Sequence, residues 1–135
     1  MSSKSFDNNN LLCGETQDLT EELFHFANRK PWQSGLYSKL LVKADDLRVI
    51  LIAMEAGAKM KEHHLDGTTV IQVLRGVLCL RVQDKSTNLQ VGQILTLAPG
   101  VKHGVEACND SAFLVTIAWP DDAKLQSLSH KGYRS

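Results

Sequence analysis

GAKMKEHHLDGTTVIQVLRG, residues 57–76, and GQILTLAPGVKHGVEA, residues 92–107, decide how this chain folds. Neither stretch carries a helical apolar period. Each consists of short runs, alternating or continuously apolar, cut by glycine or proline, and that is the pattern of β-strands joined by tight connections. In the first, Lys59 to His64 and Thr69 to Leu74 read as strands on either side of Asp66-Gly67, a turn dipeptide. In the second, Ile94 to Leu97 runs into Pro99-Gly100, and His103 to Ala107 follows.

The same pattern continues on both sides. Leu40 to Lys43 is a candidate strand, and Leu47 to Met54 (LRVILIAM) is too apolar for a strand with one wet face, so it reads as buried. Val77 to Gln83 alternates, Asp84-Lys85-Ser86 reads as a turn, and Leu89 to Val91 is short. Ala112 to Trp119 is the last strand, closed by Pro120. Short strands at regular spacing, with no long helix between them, define an all-β sandwich or barrel rather than a parallel α/β sheet.

Ahead of the strands lies one short helix. Asp18 caps it with Glu21 three residues later, Leu19, Leu23, Phe26 and Ala27 recur at helical spacing, and Pro31 stops it. The predicted organisation is therefore a leader and helix over 1–36, a barrel over 37–120 and a tail over 121–135. Residues 1 to about 17 are expected to be weakly ordered, and the tail is helix-compatible through Ala123, Leu125 and Leu128.

The chain has 135 residues, enough for one domain, with 43% hydrophobic residues to build its core. Fifteen basic and fifteen acidic residues cancel, and no basic stripe marks a nucleic-acid partner. No apolar run approaches the ~20 residues of a membrane helix. Met1 to Asn10 is polar, with no signal-peptide core. Cys13, Cys79 and Cys108 form neither a disulfide framework nor a zinc motif, so a cytoplasmic location is expected, with Cys79 and Cys108 as small core hydrophobes.

With these residues in view, the chain resembles the cupin superfamily, in particular its small bacterial single-domain members. The first cupin motif runs Gly, five residues, His-x-His, three or four residues, Glu, six residues, Gly; the second runs Gly, five residues, Pro-x-Gly, two residues, His, three residues, Asn. Gly57, His63, Gly76, Gly92, Gly100 and His103 fall in register, and the likeness covers about residues 40–120. It implies a double-stranded β-helix, the jelly-roll or cupin barrel. It also implies a cup of three imidazoles and a carboxylate around a divalent transition metal (Fe, Mn, Ni or Zn), with one His across the barrel from the others.

Two of those four ligand positions depart from the motif: His63 and His103 remain, while Leu65 and Thr69 replace a histidine and the glutamate. His64 and Gln72 are the candidate replacement ligands, although each has the wrong strand parity, and His64 faces inward only if its strand bulges. Leu65 and Thr69 then line a ligand pocket. Glu106 reads as a surface charge, His25 and His130 as solvated, Asp66 as a turn former, Trp119 as a core or dimer contact, and Trp32 as a cover over the barrel end.

Three functions stay open: a protein that binds a small molecule and a divalent metal, or the molecule alone, inside the barrel with His63 and His103 as polar contacts, a metal-dependent enzyme of the dioxygenase, isomerase or decarboxylase type, and a structural or regulatory partner domain. Whether the chain is an enzyme is undecided by its residues. The resemblance, with the apolar edge of the barrel and the N-terminal segment, also implies a homodimer.

Overall fold

The computed structural model describes residues 14–119. The expectations for the leader before residue 14, for Cys13, and for the tail with His130 lie outside the described residues. Helix α1 spans Leu19–Ala27, and the Asp18 carboxylate accepts from the Glu21 backbone N–H at 3.1 Å. A 3-10 turn at Gln33–Gly35 leads into nine strands: β1 Leu36–Lys43, β2 Leu47–Met54, β3 Lys59–His63, β4 Thr69–Arg75, β5 Val77–Val82, β6 Lys85–Gln90, β7 Ile94–Leu97, β8 His103–Ala107 and β9 Ser111–Ala118.

The strands form two antiparallel sheets, one ordered β1-β2-β9-β4-β7 and the other β3-β8-β5-β6. Only the β1–β2 and β5–β6 connections join neighbours within one sheet; every other connection crosses from sheet to sheet. That winding is the expected jelly roll. Alternate residues of both sheets interdigitate in between, with Met54, Ile71, Leu78, Leu80 and Phe113 at the centre.

Helix α1 lies on the outer face of the five-stranded sheet, where Leu23 and Phe26 bury against Leu41, Leu51, Ala53 and Ala112. Each of those two helix side chains contributes about 1.5–3 kcal/mol by leaving water. The helix is why LRVILIAM is apolar on both faces: Ile52 and Met54 face the barrel core, while Leu51 and Ala53 face α1. Trp32 does not cover the barrel end. It stacks on Tyr37 and donates its indole N–H to the Phe26 carbonyl at 2.9 Å, on the helix side of the sheet.

Three local expectations are corrected. Asp66-Gly67 is not a hairpin turn, because β3 and β4 belong to different sheets and the dipeptide lies in the crossing between them. The turn after β5 is Gln83-Asp84, with Lys85 already paired to Val82, because Gln83 takes a left-handed φ of 57° and reverses the chain one residue early. Cys79 is half-buried on the outer face of the four-stranded sheet and Cys108 is exposed, so neither is a core residue; both are free.

Candidate functional site

Partners in an antiparallel ladder place their side chains on the same face, so the registers define which residues share the barrel's inner layers. One row of the four-stranded sheet reads His63, His103, Val82, Lys85. The row at the same end of the five-stranded sheet reads Lys43, Arg48, Ile117, Thr69, Leu97. Thr69, His103, Leu97 and Ile117 are buried, which marks both rows as inward-facing. Together they form the mouth of the barrel.

His63 reaches this row through a bulge. Met60 pairs with Val105 and His63 with His103, so three steps along β3 answer two along β8. In a regular strand Met60, which packs on the core, would share its face with Glu62 and His64 instead. The extra residue inverts the parity at Lys61-Glu62 and turns His63 inward. The bulge therefore serves His63 rather than His64, which stands half-buried just past the strand end.

The two imidazoles are cross-strand neighbours in one sheet, not partners across the barrel, and their ring centroids lie 4.3 Å apart with planes at 55°. His63 Nδ1 lies 2.8 Å from the Lys61 carbonyl oxygen, and His103 Nδ1 lies 3.1 Å from that of Val101. A carbonyl only accepts, so each Nδ1–H donates, and in the neutral form of either ring the lone pair is then on Nε2. Backbone tethers of this kind are the ones that orient metal-binding histidines.

Burial lowers the pKa of His103; the bond to Val101 and the Glu62 carboxylate oppose the shift, and His63 and His64 add to it. The unfolded chain therefore takes up this proton at a higher pH than the folded one. The stability contributed by the neutral ring is full above pH 6.5 and falls as pH drops from there through the folded value, at no more than about 1.4 kcal/mol per pH unit. Urea denaturation between pH 7.5 and 5 checks this, and the corresponding part of the slope is expected to vanish in His103→Gln.

The remaining residues divide clearly. Thr69 is buried and its hydroxyl donates to the Gly67 carbonyl at 3.0 Å, while Leu65 packs against the core. Gln72 is exposed on the outer face of β4, paired with Leu114 and Ile94, and the sheet separates it from the imidazoles. Glu106 is exposed on the outer face of β8, where with Lys59, Glu62, Cys79 and Arg81 it lines a groove of 260 Å³. Asp66 is buried, with one carboxylate oxygen lacking a partner among the described residues. His25 is exposed on α1, and Trp119 packs on the core with the Arg48 guanidinium 4.0 Å over its ring.

Two imidazoles fall short of the three or four protein ligands of a stable transition-metal site. Among the described residues no three His, Cys, Asp or Glu side chains converge. The donor set at the mouth does not fit the four-ligand cup that the resemblance implies, because Leu65 and Thr69 supply no strong ligand.

Sequence reasoning missed the space beside the pair. The centre of the barrel, where the sequence reading places the ligand, is instead filled with packed side chains, and a cleft of 410 Å³ opens at the seam between the β5–β6 hairpin and β7. Val82, Lys85, Thr87, Leu95 and Leu97 line it. Val82 is the ladder neighbour of His103, so the cleft's wall stands one ladder pair from the histidine row, although neither imidazole lines it. Register alone reveals this, and register follows from long-range pairing.

The fold and mouth define a cupin-type barrel. Within that class the chain belongs to the AraC-like ligand-binding domains, whose family model matches residues 48–125. It is similar to a conserved protein of unknown function from Streptococcus pyogenes, with a TM-score of 0.68 and 20% identity over 89% of this chain and 99% of that one. A cupin superfamily protein from Desulfitobacterium hafniense gives a TM-score of 0.64 and 16% identity over 70% and 86%. Salicylate 1,2-dioxygenase from Pseudoaminobacter salicylatoxidans gives a TM-score of 0.61 and 21% identity over 82% of this chain but only 32% of that one. No curated protein matches. Among the described residues no helix is long and apolar enough to cross a membrane.

Proposed function

We propose that this domain binds a small molecule at the barrel mouth, with His63 and His103 as its polar contacts. One observation carries the reading: two rings 4.3 Å apart, each tethered through Nδ1 to a backbone carbonyl, leave two Nε2 atoms at the mouth. Membership of a ligand-binding family supports it, as does a cleft within the ~300–1,000 Å³ range of small-molecule sites.

The same tethered Nε2 atoms favour one alternative, a metal-dependent enzyme of the dioxygenase, isomerase or decarboxylase type. The likeness to a dioxygenase bears only on fold. Native mass spectrometry and elemental analysis of protein purified without added metal separate the two. The binder reading expects a small-molecule adduct that His63→Ala and His103→Ala each remove, in protein that stays folded. Near-stoichiometric metal, lost in both variants, supports the enzyme. An adduct that survives both substitutions refutes the histidine contacts.

Two further features belong to this reading. The chain works as a homodimer, supported by Val91 and Ile94, each 58% exposed beside the open edge of β7; analytical ultracentrifugation tests it. It resides in the cytoplasm, supported by the free thiols of Cys79 and Cys108.

A further inference from the structure

The two inward rows at the mouth share a property that neither shows alone. They contain Lys43, Arg48, Lys85 and the two imidazoles, and no Asp or Glu. Arg48 is committed locally: it donates to the Ala44 and Leu47 carbonyls and lies over Trp119. Lys85 lines the seam cleft and makes no ion pair among the described residues. Across the cleft stand the apolar side chains of Leu95 and Leu97, with Val82 between Lys85 and His103.

A cation at one end of an apolar wall, with hydrogen-bonding imidazoles beyond Val82 at the other, selects a molecule with an anionic head and a short apolar body. We infer that the ligand is a small carboxylate held in the seam cleft, its carboxylate paired with Lys85 and its body lying on Val82, Leu95 and Leu97 toward the histidine pair. The inference rests on the mouth being a ligand site and adds the chemical class. Asp84 also lines the cleft, but it belongs to the turn and lies outside both rows. A bound carboxylate is thus attracted by Lys85 and repelled by Asp84, and neutralising or reversing these two charges must act with opposite signs.

Hexanoate and hexanamide, which differ in charge and match closely in shape, test this by NMR titration of the full chain. Hexanoate is expected to bind at least about threefold more tightly than the amide and to shift the backbone resonances of Val82, Thr87 and Leu97. Lys85→Glu is expected to weaken hexanoate about tenfold and Asp84→Asn to strengthen it about twofold, with the amide indifferent to both. Both positions are exposed, so folding is retained, and thermal melts of the variants verify it. Equal affinity for acid and amide, or hexanoate shifting only His63 and His103, overturns the carboxylate assignment and leaves the mouth as a ligand site. No shift at the histidines or the cleft with either compound overturns both.

Discussion

Gly67→Ala is expected to lower stability by at least about 3 kcal/mol, among the larger single-methyl effects. A Cβ at this position falls 1.7 Å from the Ala118 carbonyl oxygen and 2.8 Å from its carbon, and these are backbone atoms that cannot swing aside. Relief requires the end of β9 to move. That strand end is fixed by the Ala118 N–H donating to the Thr68 carbonyl at 2.9 Å and by the pairing of Ile117 with Thr69. Gly57→Ala is the internal control: nothing lies within 4 Å of its Cβ, and only its φ of 84° is unfavourable. The left-handed conformation alone costs about 1–2 kcal/mol. Thermal melts should therefore show Gly67→Ala about 10 °C or more below wild type and Gly57→Ala much nearer to it. Equal losses in the two variants would mean that the crossing after β3 does not press against β9 as described.

Leu65→His combined with Thr69→Glu is expected to create a tight transition-metal site. The wild-type mouth offers two tethered imidazoles and no third strong ligand. The double substitution returns the donor types that the cupin motif carries at these positions, beside rings already oriented by backbone carbonyls. Removing one orienting partner commonly changes metal affinity 10–100-fold, so supplying two direct ligands should raise Zn²⁺ or Ni²⁺ affinity at least about a hundredfold. The apo protein should suffer, because position 69 is only 1% exposed and an unpaired carboxylate there costs about 3–5 kcal/mol. The signature is thus a lowered melting temperature that metal restores and a chelator lowers again. Metal affinity equal to wild type would show that residues 65 and 69 do not share the space of the two imidazoles.

The strand pattern was legible because its punctuation is local. Ile94–Leu97 and His103–Ala107 are bounded by Gly92, Pro99 and Gly100 near their ends, and both strands appear with the bounds read from sequence. Leu47–Met54 announced a doubly buried strand through composition alone, although composition did not say that α1 covers one face. The capping Asp18 and the helix after it were equally readable, since the bond from the Glu21 N–H spans three residues. Parity likewise put Gln72 opposite Thr69, and it lies there, on the outer face.

What escaped is everything that depends on partners distant along the chain. Asp66-Gly67 has the composition of a turn, yet the glycine is demanded by the Ala118 carbonyl, fifty-one residues away. Cys108 is a different case: it follows Ala107 at the end of β8 and precedes the polar run Asn109-Asp110-Ser111, so its emergence into solvent was a local signal that the reading as a core residue passed over.

Residue order by itself thus determined an all-β sandwich or barrel with one short helix, and the resemblance of its two motifs to those of cupins, with His63 and His103 at the cupin spacing, implied the jelly roll, because periodicity, turn residues and motif distances are properties of short segments. Tertiary structure alone decided that those histidines are neighbours in one sheet, that a bulge turns His63 inward, and that the free space lies at a seam beside Val82 and Lys85. Each depends on which strand pairs with which, and in what register. Burial of the opposing faces sets that register once the whole barrel has closed.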